Sequence, residues 1–229
     1  MSEPRPFDRA HAAHYDRQFA ALQPLKDALH LCVDVAFAPL PADARILVVG
    51  AGTGAELLAL AERHPGWTFT GVDPAQAMLD VCAERLAAAG LDARVTLHCG
   101  TVDTLPPSAP FHAATSLLVS QFLLDEAERT GFFRAIGARL GDGGLLASAD
   151  LVYDAALPSA AADQQLWRQA LVLAGHTAEA ADANVANWNQ RVAVLPAARI
   201  EAILEGAGFP APARMFQGLR IVGWTARKA

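Results

Sequence analysis

The sequence predicts an α/β fold, a Rossmann-like, doubly wound and mostly parallel sheet of seven strands that ends in an antiparallel hairpin. Three observations favour this class. Short apolar, β-branched segments alternate with longer segments of helical periodicity, which is typical of βαβ units. A glycine-rich loop directly follows the first of these strands and precedes a helix. Two strand-like segments joined by a short turn close the chain, which indicates an antiparallel pair.

Composition narrows the functional classes. The 229 residues are 53% hydrophobic and 18% charged, which is typical of a globular chain with a full core. The formal net charge of −6 argues against broad electrostatic binding to nucleic acid or to an anionic membrane. Cys32, Cys82 and Cys99 are dispersed and odd in number, so we expect a reducing, cytoplasmic location. No apolar stretch of about 18 residues and no signal-peptide pattern occurs, so we expect no membrane segment.

The first 40 residues predict a helical cap. Aromatic and histidine residues recur at three- and four-residue steps over residues 7–22, which indicates one or two short helices that end at Pro24. A second amphipathic helix is predicted over residues 25–37. A cap in this position can close over a ligand at the sheet edge. Residues 1–40 are therefore predicted as the cap and residues 41–229 as the ligand-binding domain.

Strands and helices then alternate along the domain. Strands are predicted at 45–49, 68–72, 94–99, 111–119 and 145–149, and helices at 56–63, 74–89 and 125–140. Gly90 follows its helix as a C-cap, and Asp125 precedes its helix as an N-cap with Glu128 three residues on. Residues 151–196 interrupt the alternation as a predicted helical insertion that can form a lid. A helix at 196–206 and hairpin strands at 213–217 and 219–227 complete the domain.

Residues 44–73 predict a nucleotide-binding unit. Gly50, Gly52 and Gly54 follow the first strand at alternate positions, where the lack of a Cβ lets a ligand lie against the main chain. The helix behind the loop offers free N–H groups to an anionic part of the ligand. Asp73 ends the second strand, where it can accept hydrogen bonds from a ribose diol. It lies 73 − 54 = 19 positions after Gly54, close to the spacing of a ribose-binding acid.

Further candidates lie at the same edge of the sheet. Met78 is in the first full turn after Asp73 and can contact an adenine face. The loop after the third strand can offer adenine a backbone N–H and an acceptor, either Thr101 or Asp103. The complete predicted cofactor site comprises Gly50, Ala51, Gly52, Gly54, Asp73, Pro74, Met78, Thr101, Val102, Asp103 and Val119.

Two cofactor classes share the geometry of the glycine loop. The letters G-A-G-T-G-A at residues 50–55 can be read as a degenerate dinucleotide fingerprint. A nicotinamide-dependent oxidoreductase would need a catalytic Tyr-x-x-x-Lys, and the two lysines and two tyrosines of this chain do not form one. The same glycines followed by A-E-L resemble motif I of the class I S-adenosylmethionine (SAM)-dependent methyltransferases.

The order of motifs from about residue 41 to the end resembles that methyltransferase family. The matching segments are V-V-G-A-G-T-G-A-E-L, G-V-D-P-A-Q-A-M-L, H-C-G-T-V-D-T-L-P, L-G-D-G-G-L-L and G-A-G-F, followed by the hairpin. The resemblance implies that the glycine loop holds the methionine part of SAM and that Asp73 binds the ribose hydroxyls. It also implies that Val102, with Thr101 or Asp103, holds adenine.

A looser resemblance concerns the bacterial tRNA-uridine carboxymethyltransferases, which use carboxy-SAM. The segments L-L-V-S-Q-F-L-L-D-E-A-E-R, N-Q-R and R-M-F-Q-G-L-R-I-V-G carry it. Residues 118–120 read L-V-S where that family has Asn-Phe-Thr, and the G-Y-S-E-L-E-I segment has no counterpart. The chain therefore resembles a relative of that branch and not a member of it.

Methyl transfer from a sulfonium is an in-line displacement that depends mainly on alignment, so a general base is optional. Candidate substrate contacts are Tyr15, Gln121, Trp188 and Arg191, and either His11 or His14 is a candidate base. His14 lies three positions from His11, but no third ligand accompanies the pair, so no metal site is predicted.

The leading hypothesis is a SAM-dependent methyltransferase with a small-molecule acceptor. The alternatives are a carboxy-SAM-dependent tRNA-modifying enzyme, a nicotinamide-dependent oxidoreductase and a non-catalytic SAM-fold protein that binds or regulates a partner. In the last case residues 151–196 would form an interface instead of a lid. The aromatic residues of this insertion make a homodimer one option.

Overall fold

The computed structural model describes residues 20–186 and 190–229. Its strands are β1 (Arg45–Val49), β2 (Thr68–Asp73), β3 (Val95–Cys99), β4 (Phe111–Leu117), β5 (Leu140–Leu151), β6 (Ala213–Gly218) and β7 (Ile221–Arg227). Its α-helices are α1 (Gln23–Phe37), α2 (Ala55–Arg63), α3 (Gln76–Ala88), α4 (Glu126–Arg139), α5 (Ala160–Leu173), α6 (Ala178–Ala186) and α7 (Ala197–Gly206).

The seven strands form one sheet in the order β3-β2-β1-β4-β5-β7-β6. Neighbouring strands from β3 to β5 are parallel, whereas β7 runs antiparallel to both β5 and β6. This confirms the predicted mostly parallel sheet with a C-terminal antiparallel hairpin. The strand order reverses between β1 and β4, and ligands of open α/β sheets bind at such a switch point, outside the carboxyl ends of the strands.

The core lies on both faces of the sheet because alternate strand residues point to opposite sides. In β1, Ile46 and Val48 join the apolar cluster that includes residues of α1, α2 and α3, whereas Leu47 and Val49 join the cluster of α4 and α7. All four residues are nearly or fully buried, which explains why β1 reads as a continuous apolar run.

Two helices begin at different residues from those predicted. Pro24 lies in the first turn of α1 instead of separating two helices, because the first turn of a helix has no intrahelical bond for its N–H groups. α3 begins at Gln76, two residues after the predicted start. Ala75 is still extended there, and its N–H donates to the carboxylate of Asp73.

The bounds of β4 and β5 also differ from the predicted ones. β5 begins five residues before the predicted start (145 − 140 = 5), because the glycine-rich turn is a bulge within the strand. Its register jumps from Phe111 opposite Leu140 to Ala113 opposite Leu145. β4 ends two residues before its predicted end (119 − 117 = 2), since Leu118 has a left-handed backbone with φ of 61°.

A buried polar network joins β5 to α4. The carboxylate of Asp150 lies 2.8 Å from the Arg129 guanidinium, and both side chains are fully buried. The hydroxyl of Ser120 donates to Asp150 and accepts from Nε of Arg129 at 2.8 Å. Arg129 also donates to the carbonyl of Ala193. The network therefore ties the end of the helical insertion to the strand ends that border the crevice.

The insertion has a small core of its own. Trp167, Leu171 and Ala181 of α5 and α6 form an apolar cluster, and Val152 bridges Leu195 on the way back to the sheet. α1 lies in the segment that was predicted as a cap, and its Val33 and Phe37 are buried in the same cluster as β1. The predicted helices between residues 7 and 19 lie outside the described residues.

Candidate ligand-binding site at the switch point

A cavity of about 540 Å³ opens at the carboxyl ends of the parallel strands. Its floor and sides come from the glycine loop after β1, the end of β2, and the loops after β3 and β4. α1 and the segment after α6 complete the wall. Of the predicted cofactor residues, Gly50, Ala51, Gly52, Asp73, Pro74, Met78, Thr101, Val102 and Val119 line this cavity.

The glycine loop is held tightly against the neighbouring strands. The N–H groups of Gly50 and Ala51 both donate to the carbonyl of Val72, at 2.7 and 3.0 Å. Gly50 has φ of 76°, and a Cβ at this position would lie 2.2 Å from Cγ2 of Val119. Only glycine fits here, because any side chain would both strain the backbone and collide with the loop after β4.

Asp73 connects the glycine loop to the turn before α3. One carboxylate oxygen accepts from the N–H of Gly52 and the other from the N–H of Ala75, both at 2.9 Å. Burial raises the pKa of Asp73, and these two hydrogen bonds oppose the rise. Each oxygen retains acceptor capacity toward the cavity, since a carboxylate oxygen accepts about two hydrogen bonds.

Two predicted cofactor residues do not line the cavity. Gly54 has φ of 86°, and a Cβ there would lie 2.6 Å from Sγ of Cys82, so this glycine permits the close packing of α2 and α3. Asp103 is exposed in the short turn after β3, whereas its neighbours Thr101 and Val102 line the cavity. Of the two acceptors considered for adenine, Thr101 therefore has the suitable position.

The predicted substrate-contact residues have different surroundings. Arg191 lines the cavity from the segment after α6. Gln121 is buried outside the cavity lining, where its amide oxygen accepts from the N–H of Leu151 at 3.0 Å and its backbone carbonyl accepts from Ala193. This geometry gives Gln121 a structural part in holding the insertion. His14, Tyr15 and Trp188 lie outside the described residues.

Three ionisable cavity residues, on α1 and α2, were not identified as ligand contacts from the sequence. His30 on α1 is buried, and this burial lowers the pKa of its imidazole to about 4. Glu56 is in the first turn of α2, and burial raises its pKa to about 7. Lys26 also lines the cavity and lies one helical turn before His30, so the four-residue spacing was an available signal for a shared face. In the sequence, Glu56 was noted only as part of the glycine-loop motif.

Leu118 has a strained backbone of the kind that is common at functional sites. Its left-handed backbone, with φ of 61°, is costly for a residue with a Cβ, by roughly 1–3 kcal/mol. It lines the cavity directly after β4, and its N–H donates to the carbonyl of Ala149 at 2.7 Å. The strained turn brings Val119 against Gly50 at the mouth of the glycine loop.

Within residues 20–186 and 190–229, no group of three or more histidine, cysteine or acidic side chains could hold a metal ion. No helix in the part of the chain that the structure describes is long and apolar enough to cross a membrane.

Residues 46–144 match a family model described as a methyltransferase domain. A malonyl-[acyl-carrier protein] O-methyltransferase of Geobacter sulfurreducens is 37% identical over 113 residues, which are 46% of this chain and 41% of the relative. The chain thus aligns with less than half of that curated relative's length.

Solved structures share the fold at low sequence identity. The apo form of the SAM-dependent methyltransferase SibL superposes with a TM-score of 0.64 and 20% identity, over 86% of this chain and 53% of that one. A putative O-methyltransferase from Nostoc punctiforme gives a TM-score of 0.64 and 19% identity, over 90% and 58%. An O-methyltransferase family 2 protein from Planctomyces limnophilus, in complex with apigenin, gives 0.62 and 17%, over 89% and 61%.

Proposed function

Because residues 46–144 match a family model described as a methyltransferase domain, we propose that this protein is a class I SAM-dependent methyltransferase that transfers a methyl group from SAM to a small-molecule acceptor. The main observation that supports this proposal is the contact between Asp73 and the glycine loop at the switch point of the sheet. This half-buried acid and the main chain of the glycine loop line the same cavity, which suits a nucleoside whose attached chain lies along the loop.

The residues present fit SAM on two observations. At Gly50 the backbone approaches Val119 so closely that no Cβ fits, so the loop surface is open main chain. Glu56, at the same end of the cavity, has a buried carboxyl oxygen without a hydrogen-bond partner among the described residues, which suits a positively charged ligand. When bound, SAM supplies a methyl group that is already activated by the positive charge on sulfur.

The chain's own residues then bind and orient the ligands, and they exclude water. In the proposed site, Asp73 accepts from the ribose hydroxyls, Thr101 and Val102 border the adenine, and Met78 contacts its face. Leu118, Phe122 and Phe132 form an apolar part of the wall that keeps water from the reacting atoms. In-line transfer requires the acceptor to be aligned behind the methyl carbon, so no nucleophile on the protein is needed.

A small-molecule acceptor is supported by the size of the cavity and by the relatives. A volume of about 540 Å³ is within the range of small-ligand sites, and the wall is mainly apolar with a few charged groups. One structural neighbour was solved with apigenin, and the relative from Geobacter is named for an acyl-carrier-protein substrate. His14, Tyr15 and Trp188 stay predictions for acceptor contact.

Arg191 favours one alternative, a carboxy-SAM cofactor of a tRNA-modifying enzyme. Arg191 lines the cavity and its guanidinium has no ion-pair partner within the described ranges, so it is available to a carboxylate on the cofactor or on the acceptor. Native mass spectrometry of freshly purified protein would separate the cases. A co-purified SAM or its demethylated product supports the proposal, and carboxy-SAM supports the alternative.

Calorimetric titration with SAM tests the cofactor site. Asp73→Ala removes the acceptor for the ribose hydroxyls and two loop contacts, so we expect SAM affinity to fall roughly a hundredfold. Asp43→Ala is the matched control, because Asp43 is exposed before β1 and outside the cavity lining. Thermal melts verify that each variant is folded. Equal SAM affinity in folded Asp73→Ala protein would overturn this assignment.

The proposal extends to compartment and assembly. Three free cysteines support a reducing, cytoplasmic location. A homodimer is supported by exposed apolar residues on α5, where Leu166 and Leu173 are 52% and 75% accessible and lie two helical turns apart. Sedimentation velocity of the purified protein, with Leu166→Glu and Leu173→Glu introduced together, tests the dimer. A monomeric wild-type protein would contradict it.

A further inference from the structure

Glu56 is a buried acid in the lining of the cavity. It lies in the first turn of α2, two residues after the last glycine of the loop. The residue is 9% exposed, and its Oε1 atom has no hydrogen-bond partner in the part of the chain that the structure describes. A carboxyl group in this state is costly, because burial removes its hydration and leaves one of its oxygens without a partner.

Among the described residues, no cation forms an ion pair with this acid. The ionisable groups nearest the cavity are Lys26 and His30 on α1, Asp73 on β2 and Arg191, and Glu56 forms no ion pair with a described residue. The Thr115 hydroxyl on β4 lowers the pKa of Glu56, but this effect is smaller than the increase that burial causes. Behind the loop, α3 contributes Cys82, which packs at Gly54, and Arg85. The Arg85 guanidinium donates to the carbonyl of Thr53, on the other side of the loop.

This inference rests on the proposed function and concerns the methionine end of the cofactor. We propose that the Glu56 carboxylate is the counter-charge for a cation of bound SAM, either its ammonium or its sulfonium group. Asp73 is already assigned to the ribose, and the glycine loop that leads to α2 faces the attached chain. A cation in this position would recover the electrostatic stabilisation that burial denies to Glu56.

The proposal predicts that binding releases a proton. Because burial raises the pKa of Glu56 to about 7, the carboxyl is partly protonated in the unliganded protein near neutral pH. A cation beside it favours the charged form, so the proton passes from the carboxyl to the buffer as the cation binds. SAM affinity should therefore be constant well above pH 7 and should fall by about tenfold per pH unit below it.

Calorimetric titration with SAM in two buffers of different ionisation enthalpy counts the released protons. We expect wild-type protein to release a substantial fraction of a proton near pH 7. Glu56→Gln should release much less, bind SAM about tenfold more weakly near pH 8 and lose the affinity change below pH 7. Glu62→Gln, on the exposed side of the same helix, should behave as wild type. His30 stays neutral over this range because its pKa is about 4.

A comparison of SAM with its demethylated product identifies the cation. If Glu56→Gln weakens both ligands equally, the partner is the ammonium group, which both carry. If it weakens SAM more, the partner is the sulfonium. Thermal melts of the unliganded proteins exclude a purely structural role. Since burial disfavours the charged form, Glu56→Gln should raise Tm near pH 8, with a smaller gain near pH 5.

Two results would contradict the inference and leave the proposed function intact: proton release from Glu56→Gln equal to that of wild type, or equal SAM affinity of both proteins near pH 8. A lower Tm of unliganded Glu56→Gln protein near pH 8 would also overturn it, because the acid would then be a structural partner. Failure of the wild-type protein to bind SAM at all would overturn the proposed function itself and this inference with it.

Discussion

At the residue scale, the glycine loop depends on one contact. Gly50 lies where β1 turns toward the cavity, and the Val119 side chain occupies the space that a Cβ would need. This contact links the loop after β1 to the strained turn after β4. The two loops on either side of the switch point therefore fix each other's position.

Gly50→Ala should abolish measurable SAM binding and lower Tm. The added methyl would lie 2.2 Å from Cγ2 of Val119, and φ of 76° is unfavourable for alanine by about 1 kcal/mol. Combining it with Val119→Ala removes both Cγ atoms and should restore part of the lost Tm, as measured by thermal melts. If the double variant is no more stable than the sum of the single variants predicts, the contact with Val119 is not the cause.

The buried pair of Asp150 and Arg129 is the second feature at this scale. Both side chains are fully buried, 2.8 Å apart, and the carboxylate also accepts from Ser120. Removal of one partner would leave an uncompensated charge in the core. The pair also holds the segment of Ala193, on which the wall at Arg191 depends.

Asp150→Ala should therefore lower the free energy of unfolding by about 3–5 kcal/mol in urea denaturation. Asp182→Ala is the matched control, because the pair of Asp182 and Arg168 on the insertion is solvent-exposed and should contribute much less to stability. Equal losses in the two variants would show that burial is not what makes the inner pair important.

At the element scale, an N-cap residue fixes the position at which α4 begins. Asp125 is the N-cap, and its carboxylate accepts from the N–H groups of Ala127 and Glu128, both at 2.9 Å. The predicted N-cap is thereby confirmed. α4 carries Arg129 and Phe132, so the position of this helix affects both the buried network and the cavity wall.

Asp125→Ala should lower the free energy of unfolding by about 1 kcal/mol, because two N–H groups of the first turn lose their acceptor. Asp142→Ala, at an exposed position in the bulge of β5, should change it by less than about 0.5 kcal/mol in the same urea titration. An unchanged unfolding midpoint for Asp125→Ala would mean that solvent satisfies the first turn equally well.

At the scale of the whole molecule, strand order places the cavity. β1 has parallel neighbours on both sides, and the connections after β1 and β4 leave in opposite directions along the sheet. A crevice must form where they part. α1 and the segment after α6 form further parts of the wall of this crevice. Residues far apart in sequence, such as Lys26 and Arg191, therefore line one cavity.

Local patterns in the sequence were sufficient for the fold. Continuous apolar runs identified the buried strands, and the turn before Ile221 identified the hairpin, because hydrophobic periodicity and turn residues act over a few positions. The same kind of pattern identified the glycine loop and Asp73, since a strand, a loop and a helix in this order have one compact arrangement. The bounds of β4 and β5 differed, because a strained leucine and a bulge depend on strand pairing.

The tertiary structure alone decided which side chains face the cavity. Gly54 packs against Cys82, Asp103 faces solvent and Gln121 holds Leu151, although all three lie in or beside the predicted motifs. Conversely, His30 and Glu56 line the cavity without any sequence signal strong enough to select them. Sequence spacing determines which element carries a residue. Burial and the direction of a side chain depend on neighbours that only the folded chain brings together.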